Sequence, residues 1–333
     1  MTTAAAHPVD TARAIVAGVE TVLRGHHHSV ELVVAAALAG GHVLLEDVPG
    51  TGKTTLARAL ARTLGGTFSR IQATADLLPA DITGTAVWDP GQLRFTFVPG
   101  PVFAHVVLVD ELNRTPPRTQ SAFMEVMEEH AVTVDGVRHP VGEPFVVVAT
   151  QNPLDQHGTY PLPEGQLDRF AVRVGLGTLE VADEVRVVRE QLAGPTVDAL
   201  APVTDPEGLL RLRDAVRAVT VGDAVLQYAV GIVRSTRQDP RITLGASSRA
   251  AITLARTAAA WALLRGRDYV LPDDVRALAV PVLAHRIVVA GTSTLMPGFG
   301  APAGQTPADV AATVVSELVG RVPVPVAPPV GRL

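Results

Sequence analysis

Residues Gly41 to Thr55 read GHVLLEDVPGTGKTT, and the fold follows from how this stretch divides. His42 to Glu46 is a short apolar run of strand character, and Val48 to Gly52 is a glycine-bearing turn. Lys53, Thr54 and Thr55 open a segment in which Leu56, Ala57, Leu60, Ala61 and Leu64 recur at helical spacing. A strand, a glycine-rich turn and a helix N-terminus in that order make a phosphate-binding loop. Gly50 and Gly52 carry no Cβ, so backbone N–H groups can turn inward around a phosphate. The helix adds its orphan amides and the positive end of its dipole. Val48, Pro49, Gly50, Thr51, Gly52, Lys53, Thr54 and Thr55 are therefore candidate contacts to a nucleotide, ATP, with Lys53 on the β- and γ-phosphates and the Thr54 hydroxyl on Mg²⁺.

Asp47 stands where the strict pattern G-x-x-x-x-G-K-[ST] has its first glycine. Lys53 is the only lysine in the chain. Arginine serves elsewhere, and a compact ammonium fits a phosphate loop that a planar guanidinium would crowd.

Composition bounds what surrounds the loop. A chain of 333 residues is long enough for two domains. A net charge of −5 gives no bulk attraction to nucleic acid or anionic lipid. Cysteine is absent, which excludes disulfides and thiolate metal sites. Neither a signal-peptide pattern nor an apolar run of about 18 residues is found, so no membrane span is expected and the expected address is the cytoplasm. Aromatics are only 4%, with apolar content carried by Ala and Val, which suits a helix-rich α/β protein.

Upstream of the loop, Thr11 to Gly40 reads as two helices broken at Gly25 to Ser29. His26, His27 and His28 fall in that break, where a solvated turn is expected rather than a metal site, since adjacent histidines in a loop cannot all face one ion. Downstream, Phe68 to Gln72 reads as a second strand, and Thr85 to Trp88 with Leu93 to Val98 as a hairpin. Val106 to Val109 is a continuous apolar run ending in Asp110-Glu111, as in buried parallel strands whose carboxyl ends carry ligands. There Asp110 can hold Mg²⁺ and Glu111 can orient and deprotonate water; the alternative is a strand-end Asp that caps a helix. A helix from Thr115 carries Phe123, Val126 and Met127, and Val132 to Val141 turns at Asp135-Gly136 as a second hairpin. Phe145 to Ala149 is another buried strand, which brings Asn152 to the same sheet edge. A polar loop follows over Gln156 to Pro163, then a short helix over Glu164 to Phe170 ending in Asp168-Arg169, and a last strand over Ala171 to Val174. After Gly177 the chain turns helical: Val181 to Leu192, Pro206 to Thr220, Val221 to Thr236, Ser247 to Gly266, Pro272 to Val289 and Pro307 to Val319. The expected division is an α/β nucleotide-binding domain over 1–177, a small all-α domain over 178–322 and a loose Pro-rich tail over 323–333.

With these segments in place the chain resembles the AAA+ ATPases, and among them the MoxR family. The resemblance rests on LLEDVPGTGKTTLA, LVDELNRTPPRTQSAFMEVMEE, VVVATQNP, GTYPLPEGQLDRF and GASSRAAITLA. Phosphate loops of this family usually depart from the strict first glycine as Asp47 does. The resemblance implies a P-loop core with a parallel five-stranded sheet followed by a helical lid. It makes Lys53 and Thr54 part of Walker A, Asp110 and Glu111 part of Walker B, and Asn152 sensor 1. Arg169 is similar to the arginine finger that reaches a neighbouring subunit's γ-phosphate, and Arg249 matches the sensor 2 arginine of the lid. The two hairpins look like the helix-2 insert and the pre-sensor-1 insertion. Ser248 stands where the family usually has Pro.

Phosphoryl transfer gives the finger a purpose, since an arginine supplied in trans typically adds about 10³ to 10⁵ in rate. The plainer alternatives are an ion pair of Arg169 with Asp168 or Glu164, and a lid-packing role for Arg249. Arg114 is a further residue that could face a neighbour. The family implies an ATP-driven remodelling motor or chaperone, assembled as a homo-hexameric ring and acting on a partner with a von Willebrand factor A domain, often to mature a metal- or cofactor-containing complex. A nucleic-acid motor of the related helicase clade is disfavoured because the hairpins carry only Arg94, Arg138 and His139 as basic residues. A non-hydrolysing switch would be expected to lack the carboxylate at Glu111, and a GTPase would need a second lysine in its guanine-reading motif.

Overall fold

Two helices precede the first strand: α1 (Pro8–Glu20) and α2 (His27–Leu38). The α/β part then runs β1 (His42–Glu46), α3 (Lys53–Thr63), β2 (Phe68–Gln72), α4 (Pro79–Thr83), the hairpin β3 (Gly84–Asp89) and β4 (Arg94–Pro99), and β5 (Val106–Asp110). It continues with α5 (Pro117–Glu129), the hairpin β6 (Ala131–Val134) and β7 (Val137–Pro140), β8 (Val146–Gln151), α6 (Glu164–Leu167) and β9 (Phe170–Val174). Beyond it come α7 (Val181–Ala193), α8 (Pro206–Ala218), α9 (Asp223–Thr236), β10 (Ile242–Leu244), α10 (Ser248–Leu264), α11 (Pro272–Leu283), β11 (Val288–Val289) and α12 (Pro307–Arg321). These elements belong to a computed structural model that describes residues 7–48, 50–152, 158–193, 197–292 and 306–325. Pro49, the first two residues of the expected polar loop and most of the Pro-rich tail lie outside the described residues.

The five strands form one sheet in the order β2-β5-β8-β1-β9, and every pairing in it is parallel. The central strands β5, β8 and β1 are continuously apolar because both faces are covered, whereas the edge strand β2 (FSRIQ) buries only Ile71. Val43 and Leu45 of β1, Val106 and Leu108 of β5, and Val146 and Val148 of β8 point to the layer that holds α1, α2, α3 and the C-terminal helices. Leu44, Val107, Val109, Val147 and Ala149 point to the other layer, against Phe123, Met124 and Met127 of α5. One-residue alternation thus divides the strands between two cores. Register sets Glu46 beside Gln151 and Gln72 beside Asp110, so the strands' carboxyl ends share one edge.

The C-terminal part is the helical lid. Its helices are started by the devices that the sequence supplies: Asp205 accepts from the Gly208 amide at 2.6 Å, Ser247 caps α10, and Thr306 with Asp309 closes a capping box on α12. The expected helix from Pro272 to Val289 is shorter. It ends at Leu283, two residues beyond Pro281, which is held within the helix. A tight turn over Ala284–Arg286 leads into β11, which pairs antiparallel with β10, so the lid holds a small strand pair beside its helices.

The histidine segment also differs from a solvated turn. His27 and His28 lie in the first turn of α2 and His26 is its N-cap residue. His26 is buried and bonds through Nδ1 to the Leu176 carbonyl at 3.0 Å. His27 faces Glu20 and Glu31, and His28 sets its ring edge-on to Trp261 of α10. The three side chains serve three different contacts. The hairpins meet through Phe97 and His139, stacked with centroids 3.8 Å apart, while Trp88 and Phe95 remain exposed on β3 and β4.

Candidate active site

The phosphate loop leaves β1 at Glu46 and enters α3 at Lys53. Gly50 has φ +89° and Gly52 φ +96°, left-handed values that side chains rarely adopt. A Cβ on Gly52 would also lie 2.9 Å from Leu23 Cδ1, whereas one on Gly50 would meet nothing within 4 Å. The loop is thus closed on the protein side at Gly52 and open at Gly50. Thr51 donates its hydroxyl to the Val48 carbonyl at 3.2 Å. Lys53, Thr54 and Thr55 form the first turn of α3, whose free amides face the loop. The Lys53 ammonium donates to the carbonyls of Asp47 and Val48 at 2.6 and 2.9 Å. Partial burial lowers its pKa, and the charges of Asp47, Asp110 and Glu111 work against that shift.

Asp110 and Glu111 end β5. Asp110 is buried, with Oδ2 accepting from Arg70 Nε at 2.6 Å and Oδ1 accepting from the Thr150 hydroxyl at 3.5 Å. Glu111 takes φ +59°, ψ +48°, a left-handed conformation that costs about 1–3 kcal/mol in a non-glycine residue. Its amide donates to Thr150 Oγ1 at 2.9 Å, and its carboxylate pairs with Arg114 at 2.8 Å. Arg114 is therefore turned toward its own chain's Glu111 rather than outward. Asn152 follows β8 directly, one residue beyond Gln151. One edge of the sheet thus gathers Lys53, Thr54, Asp110, Glu111 and Asn152: an ammonium, a helix N-terminus, two carboxylates, a hydroxyl and an amide. Such a set can bind a polyphosphate, hold a hard cation between oxygen ligands and activate a water.

Arg169 and Arg249 are elsewhere. Arg169 directly precedes β9, at the amino-terminal edge of the sheet, and Arg249 lies in the first turn of α10. Both guanidiniums converge on Glu128 of α5: Arg169 bonds one carboxylate oxygen and Arg249 the other, at 2.9 Å. The two arginines hold the Glu128 carboxyl below the usual carboxylate range. Glu128 follows Met127, whose carbonyl accepts from His42 Nε2 at 3.1 Å at the very start of β1. Five strand residues separate that point from the phosphate loop, a span of roughly 15 Å. Neither Asp168 nor Glu164 is the ion-pair partner of Arg169. Asp168 instead accepts from Arg286 Nε at 2.8 Å and from the Ser247 hydroxyl at 3.1 Å.

Four participants escaped the sequence reading: Arg70, Thr150, Glu128 and the side chain of Asp47. Arg70 belongs to the strand that pairs with β5, and Thr150 directly precedes Gln151 and Asn152, so strand order was the signal for these two. Glu128 carries no local signal, since its partners lie 41 and 121 residues away.

Comparison with known proteins agrees with this geometry. The model for the ATPase family associated with various cellular activities (AAA) matches residues 42–172, and the AAA lid domain model matches residues 234–312. The chain is 40% identical over 280 residues to Chaperone MoxR1 of Mycobacterium tuberculosis, covering 81% of this chain and 74% of that one. It is 33% identical over 297 residues to Protein MoxR of Paracoccus denitrificans, covering 81% and 86%. The solved structure of a candidate ATPase from Cytophaga hutchinsonii superposes with a TM-score of 0.84 at 33% identity, over 96% of each chain. The two family models, the identity to both MoxR proteins and the shared fold agree, and the chain belongs to the MoxR family of AAA+ ATPases.

Proposed function

We propose that this ATPase hydrolyses ATP with Mg²⁺ at the contact between two copies of the chain, in a ring that is a hexamer. One observation carries the reading: Arg169 and Arg249 stand together at the sheet edge opposite Lys53, roughly 15 Å from their own phosphate loop. In a head-to-tail ring that edge faces the next copy's loop, where a guanidinium meets the γ-phosphate.

Within the site, Lys53 and the α3 amides bind and neutralise the phosphates. Thr54 and Asp110 would hold Mg²⁺; a hydroxyl and a carboxylate are the oxygen donors that a hard cation takes. An ion held by these two residues would supply positive charge to offset that of the phosphates. Glu111 accepts the proton of the attacking water, and Asn152 holds that water or the γ-phosphate by its amide. Arg169 and Arg249 of the adjoining copy stabilise the charge that develops on transfer, which requires them to leave Glu128.

The work done is chaperone-like: remodelling or maturation of a partner, in our reading one with a von Willebrand factor A domain, including insertion of a metal or cofactor, in the cytoplasm. The hairpins favour a protein partner over a nucleic acid, since Trp88, Phe95 and Leu93 are exposed on the first of them while Arg138 is bonded back to the Glu129 carbonyl. Specific ATPase activity measured against protein concentration, with mass read by light scattering, tests the assembly. Activity should rise as the ring forms, and equal specific activity in a monomer would contradict the reading. A purified von Willebrand factor A domain protein should raise turnover of the ring, and no effect on turnover or binding would remove that partner.

A further inference from the structure

In the sequence Asp47 is a departure from the glycine pattern; in the structure its side chain joins two parts of the molecule. Oδ1 accepts from the Val48 amide at 2.8 Å, inside the phosphate loop. Oδ2 accepts from the amides of Leu176 and Gly177 at 2.8 and 2.7 Å. Those two residues belong to the short segment that carries the chain from β9 into α7. The backbone of Asp47 is engaged as well: its amide donates to the Gln151 carbonyl at 3.3 Å, next to Asn152, and its carbonyl accepts from Lys53 Nζ at 2.6 Å.

The linking segment is gripped from its other side by α2. His26 donates from Nδ1 to the Leu176 carbonyl at 3.0 Å, and the Ser29 hydroxyl donates to the Gly175 carbonyl at 2.9 Å. Gly177, with φ +72°, turns the chain toward the lid. A glycine at position 47 would leave the Leu176 and Gly177 amides without this acceptor.

We propose that Asp47 is a positioning residue that couples occupancy of the phosphate loop to the orientation of the lid. The proposal rests on Lys53 being the phosphate-binding lysine. A phosphate that draws the ammonium off the carbonyls of Asp47 and Val48 frees the peptide between them to reorient. The carboxylate is bonded at once to that peptide's N–H and to the amides of Leu176 and Gly177, so rotation of the peptide pulls on the segment from which the lid departs. Charge-assisted bonds from a carboxylate to backbone amides are strong enough to transmit that shift rather than break. Coupling then travels through one side chain with a defined partner on each side.

Full-length protein and its Asp47→Gly and Asp47→Asn variants test this, with a fluorescent N-methylanthraniloyl ADP as the binding probe and hydrogen exchange read with and without ADP. In the native chain ADP should change exchange in α7, beyond the linking segment. In Asp47→Gly the probe should still bind, within about tenfold of native affinity, while the ADP-dependent change in α7 disappears and kcat falls more than KM. Asp47→Asn keeps one acceptor oxygen and should fall between the two. An ADP-dependent change in α7 that persists in Asp47→Gly would overturn the proposal and leave Asp47 a static brace. Loss of probe binding in both variants, with folding intact, would overturn it by making Asp47 part of the binding loop. Should Asp47→Gly fail to fold, native coupling in Asp47→Asn would overturn it and weakened coupling would support it. Failure of the native chain itself to bind the probe is the separate outcome that rejects the phosphate-loop reading and the proposal with it.

Discussion

At the scale of single residues, Glu111 and His42 carry the sharpest expectations. Glu111 has a left-handed backbone conformation, its N–H donates a hydrogen bond to Thr150 Oγ1, and its carboxylate pairs with Arg114. Glu111→Gln keeps the shape and removes the carboxylate that we propose as the base. Turnover should drop by about 10²- to 10⁴-fold while nucleotide affinity stays near native, as read by single-turnover hydrolysis beside equilibrium binding. Unchanged turnover would take Glu111 out of catalysis. His42 gives a pH dependence of stability. Burial pushes its pKa from 6.5 down to about 4, and the neutral ring accepts from the Val147 amide at 3.0 Å while donating to the Met127 carbonyl. The folded state thus binds fewer protons than the unfolded chain in this window, so stability is full above pH 6.5 and falls as pH drops toward 4. The loss totals roughly 3 kcal/mol. Buried His285, also shifted downward by desolvation, adds in the same direction. Urea unfolding from pH 7 to 4.5 should show this slope, reduced by about one proton in His42→Asn. Among these residues, Lys53, Thr54, Asp110 and Glu111 were legible because a strand end or helix start fixes each locally. Asp47, Arg70 and Glu128 were not, because each acts through a partner that only the tertiary fold brings near.

At the scale of elements, the lid is tied to the sheet by Arg286, which is 4% exposed. Its guanidinium donates to Asp168 Oδ1 at 2.8 Å and to the Phe170 carbonyl at 2.6 Å, closing the turn after α11 onto the start of β9. Burial lowers its pKa to about 10, which leaves it charged at neutral pH. Arg286→Leu strands Asp168 and these carbonyls, and should cost about 3 kcal/mol in urea unfolding; a cost under about 1 kcal/mol would show that the contact is not structural. The strands were readable because continuous Val and Leu runs suit a sheet covered on both faces, and the hairpins because Asp89-Pro90-Gly91 and Asp135-Gly136 are turn chemistry. The end of α11 was not readable. Its proline is accommodated inside the helix and the stop comes only at Leu283, where the chain leaves for β11. His27 and His28 were misplaced for a similar reason: tertiary contacts to Glu20 of α1 and Trp261 of α10 recruit them into α2 despite modest helix propensity.

At the scale of the whole molecule, the central claim is that each complete site is shared by two copies. The sequence named both arginines through family resemblance, yet their separation from the phosphate loop is a property of the parallel sheet. Arg169 precedes a strand whose neighbour ends in the loop, so the length of β1 keeps the two apart. Arg169→Ala alone should bind nucleotide and turn over at about 10⁻³ of the native rate or less. The most direct measurement mixes that variant with Glu111→Gln, each nearly inactive by itself, and follows ATPase activity against mixing ratio. Activity that appears on mixing and peaks at an intermediate ratio is predicted, since Glu111 of one copy then meets Arg169 of the next. A mixture no more active than its two components, in rings shown by mass to contain both, would contradict the shared site.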